Sequence, residues 1–304
     1  MTHLPSTLHA EPTLAAISRE SGALAMVAMD QRESLRAMFD SAGAGRPADD
    51  VLVRFKLDVA SALGPLASGF LIDRHYGFDE IRTEGLLPDS AGLILAADAL
   101  TQADGGPVEE TDLDDVVIAP DFSLSGVVAL KLLIIWRRDD RREDRVRLAA
   151  DFIARARQRG VLSVLEPVVR ATQAELDAGT WDADAAIREA ARELSPLGQS
   201  LYKVQVPGQG RGTAVEQTVA SEQLGRDITG PWVVLSQGVE RDDYRGAVEA
   251  ACRGGASGFL AGRALWSDVV GTDDVPAMLR SVSVPRLERL IETVDREARP
   301  WTES

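Results

Sequence analysis

The sequence predicts a single (β/α)8 TIM barrel, an α/β fold, spanning residues 1–304, with an extra helix before its first strand. Three observations predict this fold. Short runs rich in Val, Ile and Leu are continuously apolar, which is typical of parallel strands covered on both faces. Eight such runs occur, and amphipathic helical patterns separate most of them. Polar residues near the strand ends recur about every 33 residues, close to the length of one β/α unit.

The predicted strands are 23–30, 68–74, 92–98, 127–136, 162–169, 201–207, 232–238 and 258–266. The predicted helices are 13–22, 47–63, 141–160, 182–196, 241–255 and 284–299. Residues 96–117 read largely as a loop, and residues 1–12 are expected to be mobile. A doubly wound sheet is the alternative fold, but its Gly-rich first turn is missing. No shift in composition marks a domain boundary.

Charge and composition exclude several function classes. The chain has 304 residues and a net charge of −15, which disfavours nucleic acid and anionic membranes as partners. One cysteine allows no internal disulfide, and no signal peptide or membrane span is evident, so a cytoplasmic location is expected. Only three histidines occur, which argues against a His-rich metal site. We therefore expect neither a metal nor a cofactor.

Polar residues near the carboxyl ends of the strands are the candidates for a functional site. In a (β/α)8 barrel these ends form the active-site face, so residues distant in sequence meet in one pocket. The candidates are Asp30, Asp73, Asp98, Lys131, Glu166, Lys203, Ser236 and Arg263.

Lys203 lies in the apolar stretch LYKVQVP (201–207), in a chain with three lysines and thirty arginines. Arginine stays protonated and cannot act as a nucleophile, whereas a buried lysine can lose its proton because desolvation disfavours the ammonium form. A neutral amine can attack a carbonyl and form a Schiff base. The alternative is a structural lysine at a strand edge.

Lys131 and Glu166 are the next candidates. The charge of Lys131 could favour a neutral Lys203 by like-charge repulsion, or could bind an anionic or hydroxyl oxygen of a substrate. A carboxyl group between lysines, such as Glu166, suits the proton transfers of Schiff-base chemistry. A structural ion pair between Lys131 and Glu166 or Asp98 is equally compatible with the sequence. Lys56 lies in a predicted helix and is expected at the surface.

The remaining candidates lie at the first, second and last two strands. Asp30 could accept hydrogen bonds from substrate hydroxyls or cap a turn, and Gln31 and Arg32 could reach the same pocket. The loops after strands seven and eight of such barrels commonly bind phosphate, and small residues there let the backbone approach the anion. These positions are Ser236, Gln237, Gly238, Gly262 and Arg263. Asp73, Arg74 and His75 could touch a substrate or be structural.

Four stretches carry a family resemblance: AMDQRESLRAMF (28–39), LYKVQVP (201–207), VVLSQGV (233–239) and GASGFLAGRALWSDVVG (255–271). As a set they resemble the class I aldolases that cleave tagatose 1,6-bisphosphate. DQRES and ASGFLAGRALW are most similar to the branch that cleaves 6-deoxy-6-sulfofructose 1-phosphate in sulfoglycolysis. The chain departs from the expected pattern at LIDRHYG, where a proline and an acid would follow the aspartate.

The resemblance implies a metal-independent lyase with Lys203 as the Schiff-base lysine and Glu166 as the proton shuttle. It implies substrate contacts at Lys131, Asp30 and Gln31. It implies a small sugar phosphate or sulfosugar phosphate as ligand, and a homo-oligomer. Three other interpretations stay open: a tagatose or fructose 1,6-bisphosphate aldolase, a phosphosugar isomerase or decarboxylase, and a non-catalytic sugar-phosphate sensor.

Overall fold

A computed structural model describes residues 12–103 and 106–304. Its strands are β1 (Leu24–Met29), β2 (Gly69–Ile72), β3 (Gly92–Ala96), β4 (Asp98–Gln102), β5 (Val108–Leu113), β6 (Val127–Trp136), β7 (Leu162–Val169), β8 (Leu201–Val204), β9 (Trp232–Val234) and β10 (Gly258–Ala261). Eight of them form a closed parallel barrel in the order β1-β10-β9-β8-β7-β6-β3-β2. The predicted barrel and its eight strands are confirmed.

The α-helices are α1 (Glu33–Ser41), α2 (Asp49–Leu63), α3 (Phe78–Glu84), α4 (Arg142–Gln158), α5 (Gln173–Ala178), α6 (Ala183–Leu194), α7 (Ala214–Asp227), α8 (Tyr244–Arg253), α9 (Arg263–Trp266), α10 (Val275–Met278) and α11 (Val284–Glu297). They include the predicted helices at 47–63, 141–160, 182–196, 241–255 and 284–299. In the described residues, no helix has the length and apolar character needed to cross a membrane.

The extra N-terminal helix is much shorter than predicted. Only a 3-10 turn, Leu14–Ile17, forms within residues 13–22. Leu14 and Ile17 are buried against the inward side chains at the amino end of the barrel, so the turn closes that end. The fit is tight, since a Cβ atom added to Gly92 would lie 2.2 Å from the carbonyl oxygen of Ala16. The predicted mobility of residues 1–12 falls on residues 1–11, which lie outside the described part.

The prediction that residues 96–117 are largely loop is wrong, because they contain a β-hairpin. β4 and β5 pair antiparallel, with Asp98 opposite Leu113 and Gln102 opposite Val108. The hairpin takes the place of a helix after the third barrel strand. Arg137 at the end of β6 anchors it by donating a hydrogen bond to the Glu109 carbonyl oxygen at 2.9 Å.

The interior of the barrel follows the two-residue period of a strand. Inward-facing apolar residues fill its lower layers, among them Ala129 on β6, Leu162 and Val164 on β7, and Leu201 on β8. The next inward positions along these strands are Lys131, Glu166 and Lys203. All three are nearly buried. The register of the strands therefore places charged side chains directly above an apolar plug.

The expected surface position of Lys56 is wrong. Its side chain is fully buried on the inner face of α2 and forms an ion pair with Asp73, which follows β2. Burial lowers the pKa of Lys56, although the charge of Asp73 opposes this effect. The other oxygen of Asp73 accepts hydrogen bonds from the backbone N–H groups of His75 and Tyr76 at 2.9 and 3.1 Å. The pair thus ties α2 to the loop after β2.

Substitution Lys56→Met is expected to lower the free energy of unfolding by about 3–5 kcal/mol, because it leaves the Asp73 carboxylate buried without its cation. Urea denaturation measures this change. The double variant Lys56→Met/Asp73→Asn should lose less than the sum of the two single variants. Arg155→Met is the matched control, since its pair with Asp151 is 43% and 49% exposed and should cost less than about 1 kcal/mol. Equal losses in Lys56→Met and Arg155→Met would contradict the role of the buried pair.

Candidate active site

A cavity of about 500 Å³ opens at the carboxyl ends of the barrel strands. Ten of the residues predicted from the sequence line it: Asp30, Gln31, Arg32, Lys131, Glu166, Lys203, Ser236, Gln237, Gly262 and Arg263. Gly238 is not among the lining residues; it is exposed and has a φ of 83°. The barrel therefore brings together most of the predicted positions, which come from six different strands or the loops that follow them.

Lys131 is surrounded by carboxylates. Its Nζ lies 2.7 Å from Asp30 Oδ2, 3.0 Å from Asp98 Oδ2 and 2.9 Å from Glu166 Oε2. Burial alone would lower the pKa of Lys131, but the three negative charges outweigh it and raise that pKa well above its usual value. Lys131 is consequently a fixed positive charge at neutral pH.

Glu166 connects the two lysines of the cavity. Its Oε1 lies 2.9 Å from Lys203 Nζ, and its Oε2 contacts Lys131. Among the residues of the described ranges, Glu166 is the one carboxylate within 4.0 Å of Lys203. Lys203 is 4% exposed. One carboxylate is thus shared between a lysine held by three acids and a lysine held by one.

Asp30 is an ionised acid. Burial would raise its pKa, but the charges of Lys131 and Lys203, together with the hydrogen bond from Lys131, hold the pKa far below its usual value. Its carboxylate therefore stays negative throughout the neutral range and can accept hydrogen bonds.

Arg32, which lines the cavity, and Asp98 support the cluster around Lys131. Arg32 donates hydrogen bonds of 2.9 Å to both Oδ1 and the backbone carbonyl oxygen of Asp98. The other carboxylate oxygen of Asp98 accepts from Lys131 and from the backbone N–H of Leu133. Asp98 is therefore fully engaged beneath Lys131, and it does not line the cavity.

Gly262 and Arg263 bring the last strand close to the first. A Cβ atom on Gly262 would lie 2.8 Å from the Ala28 carbonyl oxygen and 2.9 Å from Gln31 Nε2, so a larger residue would displace this backbone. Arg263 lines the cavity without a carboxylate within 4.0 Å among the described residues, and burial lowers its pKa. Ser236 is buried at the same side, at the end of β9.

Three residues predicted near the second strand lie outside the cavity lining. Asp73 is turned towards Lys56, and Arg74 donates a hydrogen bond from Nε to Asp114 Oδ2 at 2.7 Å. His75 is also absent from the lining. Their side chains hold the loop after β2 rather than face the pocket.

The sequence interpretation missed Arg170 and the hairpin residues Leu100, Gln102 and Val108, which also line the cavity. Arg170 is the first residue after β7 and directly follows the predicted strand 162–169. This position at the end of a predicted strand could have identified Arg170 as a site residue. The hairpin residues were harder to identify from the sequence, because most of them are partly exposed and many are acidic.

Within residues 12–103 and 106–304, no cluster of three or more His, Cys, Asp and Glu side chains is arranged to hold a metal ion.

Comparison with known proteins identifies the family. The model of the DeoC/LacD family aldolases matches residues 24–268. Tagatose 1,6-diphosphate aldolase of Listeria monocytogenes serotype 4a (strain HCC23) is 26% identical over 315 residues, which cover 94% of this chain and 91% of that protein. Tagatose 1,6-diphosphate aldolase 2 of Streptococcus pyogenes serotype M3 (strain ATCC BAA-595 / MGAS315) is 26% identical over 309 residues, covering 93% and 94%.

Solved structures share the barrel at lower identity. Fructose-bisphosphate aldolase from Plasmodium falciparum superposes with a TM-score of 0.67 at 14% identity, covering 94% of this chain and 93% of that one. An archaeal fructose-1,6-bisphosphate aldolase, with its catalytic lysine bound to a carbinolamine intermediate, gives a TM-score of 0.58 at 16% identity, covering 93% and 98%. These likenesses support the fold. Because the family match spans most of the chain, from the first barrel strand to beyond the last, this chain belongs to the DeoC/LacD family of aldolases.

Proposed function

We propose that this aldolase works through a Schiff base on Lys203. The observation that carries the proposal is the 2.9 Å contact between Lys203 Nζ and Glu166 Oε1 inside the cavity. It pairs a nearly buried amine with a carboxyl group that can take and return protons. The resemblance of LYKVQVP to the family's lysine strand assigns the same residue.

Lys203 is a better nucleophile candidate than Lys131. Neutralising the Lys131 ammonium group would break ion pairs with three acids, whereas neutralising Lys203 would give up one. A buried charge removed from among its partners leaves those partners uncompensated, which is costly. Lys131 is better suited to hold an oxygen of the substrate and to keep Glu166 in place between the two lysines.

The proposed reaction begins when Lys203 passes a proton to Glu166 and its neutral Nζ attacks the C2 carbonyl of a ketose 1-phosphate. Glu166 supplies the proton with which the carbinolamine hydroxyl leaves as water, giving an iminium. The C3–C4 bond then breaks, and its electron pair moves through C3 into the iminium to give an enamine. The C4 hydroxyl loses its proton to Glu166 and becomes the aldehyde carbonyl. Glu166 returns the proton to C3, and water releases dihydroxyacetone phosphate from Lys203.

Asp30 and Gln31 act as substrate contacts in this proposal. Asp30 stays ionised, so it accepts hydrogen bonds from substrate hydroxyls and does not carry protons between atoms. Gln31 has a buried Oε1 without a hydrogen-bond partner in the described structure, and this atom can accept from a hydroxyl group.

The phosphate on C1 is proposed to bind at the last two barrel strands. The contacts are Ser236, Gln237, Gly262 and Arg263, which line the cavity; Gly238, also predicted from the sequence, is exposed outside the lining. Arg263 offers a guanidinium without a carboxylate partner among the described residues, and a phosphate can satisfy it with two parallel hydrogen bonds. The small residues let the main chain approach the anion. This group lies next to β8, as C1 requires when C2 is bound to Lys203.

The proposed substrate is 6-deoxy-6-sulfofructose 1-phosphate, cleaved to dihydroxyacetone phosphate and 3-sulfolactaldehyde. The likeness of DQRES and ASGFLAGRALW to the sulfosugar branch supports it. Tagatose or fructose 1,6-bisphosphate, which would yield glyceraldehyde 3-phosphate, is the second candidate. The relatives named tagatose 1,6-diphosphate aldolase favour that candidate.

Borohydride reduction with dihydroxyacetone phosphate is expected to add the reduced ligand to Lys203, because an imine becomes a stable amine when reduced. Mass spectrometry of the digested protein locates the adduct. Lys203→Met should show none. Lys131→Arg keeps the positive charge and should still be labelled at Lys203. An adduct on Lys131, or none at saturating ligand, would rule out the proposed nucleophile.

Substitution Glu166→Gln is expected to lower kcat by roughly 10²–10⁴-fold, because the amide keeps the shape but cannot carry a proton. A coupled assay of dihydroxyacetone phosphate measures kcat. Glu193→Gln is the matched control; Glu193 accepts hydrogen bonds from Trp136 and Arg142, outside the cavity. A Glu166→Gln enzyme within about threefold of wild type would show that another group shuttles the protons.

Cleavage rates on the candidate substrates decide between the two substrate proposals. In EDTA, kcat/KM for 6-deoxy-6-sulfofructose 1-phosphate is expected to exceed that for tagatose and fructose 1,6-bisphosphates by at least about tenfold, or 1.4 kcal/mol. Activity in EDTA is expected because the Schiff-base route uses no metal. A preference for a bisphosphate would replace the sulfosugar proposal with the second candidate, and inhibition by EDTA would contradict metal independence.

A further inference from the structure

Arg170 is a cavity residue to which the proposed mechanism gives no role. It directly follows β7, and its backbone N–H donates to the Trp136 carbonyl oxygen at 2.9 Å. Its side chain lines the cavity. Its Nε is buried without a hydrogen-bond partner, and no carboxylate of the described residues lies within 4.0 Å. The strand end therefore fixes the backbone of Arg170, and the Nε–H of its side chain is left without an acceptor.

This lack of a partner is unusual for the chain. Arg36 and Arg145 are the buried arginines outside the cavity in the described residues, and each pairs with two carboxylates. Arg32, in the cavity wall, pairs with Asp98. Burial lowers the pKa of Arg170, as expected for a cation without close compensation. Arg170 is half-buried, so solvent only partly compensates its charge, and a bound anion would supply the missing partner.

Arg263 is the other cavity arginine without a carboxylate partner, and the strand order separates the two. Neighbouring strands run β10-β9-β8-β7 around the barrel. Arg263 and Ser236 follow β10 and β9, on one side of the Lys203 strand. Arg170 follows β7, on the other side. Two guanidinium groups thus flank Lys203, as the two anionic ends of a ketose would.

The hairpin adds a neutral donor on the Arg170 side. Gln102 on β4 lines the cavity, and its Nε2 is buried without an acceptor in the described structure. Gln102 is opposite Val108 in the hairpin, and the charge of the next residue, Glu109, acts on Arg170. The hairpin and Arg170 therefore form one wall of the cavity, with two kinds of unsatisfied N–H donor.

We propose that Arg170, assisted by Gln102 Nε2, binds the tetrahedral anion on C6 of the substrate, a sulfonate or a phosphate. The inference rests on the proposed function, which places C2 at Lys203 and the C1 phosphate at Arg263. Since the bond that breaks is C3–C4, Arg170 holds the half that leaves as the aldehyde. Arg170 is then a specificity-determining residue for that half and makes no contact with dihydroxyacetone phosphate.

The test compares substrates that differ at C6, using the full-length enzyme. Arg170→Gln is assayed with 6-deoxy-6-sulfofructose 1-phosphate, with fructose 1,6-bisphosphate and with fructose 1-phosphate, which has no C6 anion. Loss of a buried charge partner should lower kcat/KM by at least about 30-fold for the two substrates with a C6 anion. The loss for fructose 1-phosphate should stay below about threefold. The larger of the two losses identifies sulfonate or phosphate as the anion that Arg170 fits.

Trapping of dihydroxyacetone phosphate at Lys203 is the second measurement. Arg170→Gln should reach half-maximal labelling at the wild-type ligand concentration, whereas Arg263→Gln should need far more ligand. Arg170→Lys keeps the charge and should regain part of the C6 selectivity, which a merely structural defect would not allow. Arg155→Gln on α4 is the control for loss of one positive charge, and its selectivity should match wild type.

The outcomes separate this inference from the function on which it rests. Equal losses on all three substrates, or weakened labelling by dihydroxyacetone phosphate in Arg170→Gln, would overturn the C6 assignment while the Schiff-base proposal stands. A wild-type enzyme that forms no Lys203 adduct would overturn both.

Discussion

The sharing of the Glu166 carboxylate between two lysines is the interaction on which the site depends. One oxygen contacts Lys203 and the other contacts Lys131, at 2.9 Å each. Asp30 and Asp98 then neutralise Lys131 from the far side. Because three acids hold Lys131 and one holds Lys203, Lys131 is a fixed cation, whereas Lys203 depends on a single ion pair. The barrel thus distinguishes chemically between two identical side chains.

This arrangement follows from the two-residue period of side chains along a strand. Ala129, Val164 and Leu201 point into the barrel two residues before Lys131, Glu166 and Lys203. A shift of one residue in any of these strands would turn the charged side chain into the layer between strands and helices. The apolar layers below exclude water from one side, and each charge is compensated by a neighbouring strand rather than by solvent. The packing of the core and the electrostatics of the site are therefore set together.

Much of this could be predicted from the sequence, for identifiable reasons. Continuous apolar runs marked all eight barrel strands, and the position of Lys203 within such a run distinguished it from a surface lysine. The position of Lys56 was wrongly predicted because a helical pattern does not show that Asp73 lies opposite its buried side chain. The hairpin was missed because Gln102 and its neighbours are stabilised by pairing and by Arg137, not by an apolar pattern. Arg170 was missed because the candidates were the last polar residues within the predicted strands, and Arg170 lies just beyond the strand 162–169.

The hairpin in place of the third outer helix has a consequence for aldol addition, the reverse reaction. In the proposed mechanism, the donor ketone is activated on Lys203 and binds near β9 and β10, which belong to the barrel itself. The acceptor aldehyde, as we propose, contacts Arg170 and the β4–β5 hairpin, which is not part of the closed barrel. Changes confined to β4 and β5 can therefore alter the range of acceptors while the donor chemistry stays intact. Such a division lets one carbon–carbon bond-forming centre serve different aldehydes by exchange of a peripheral element.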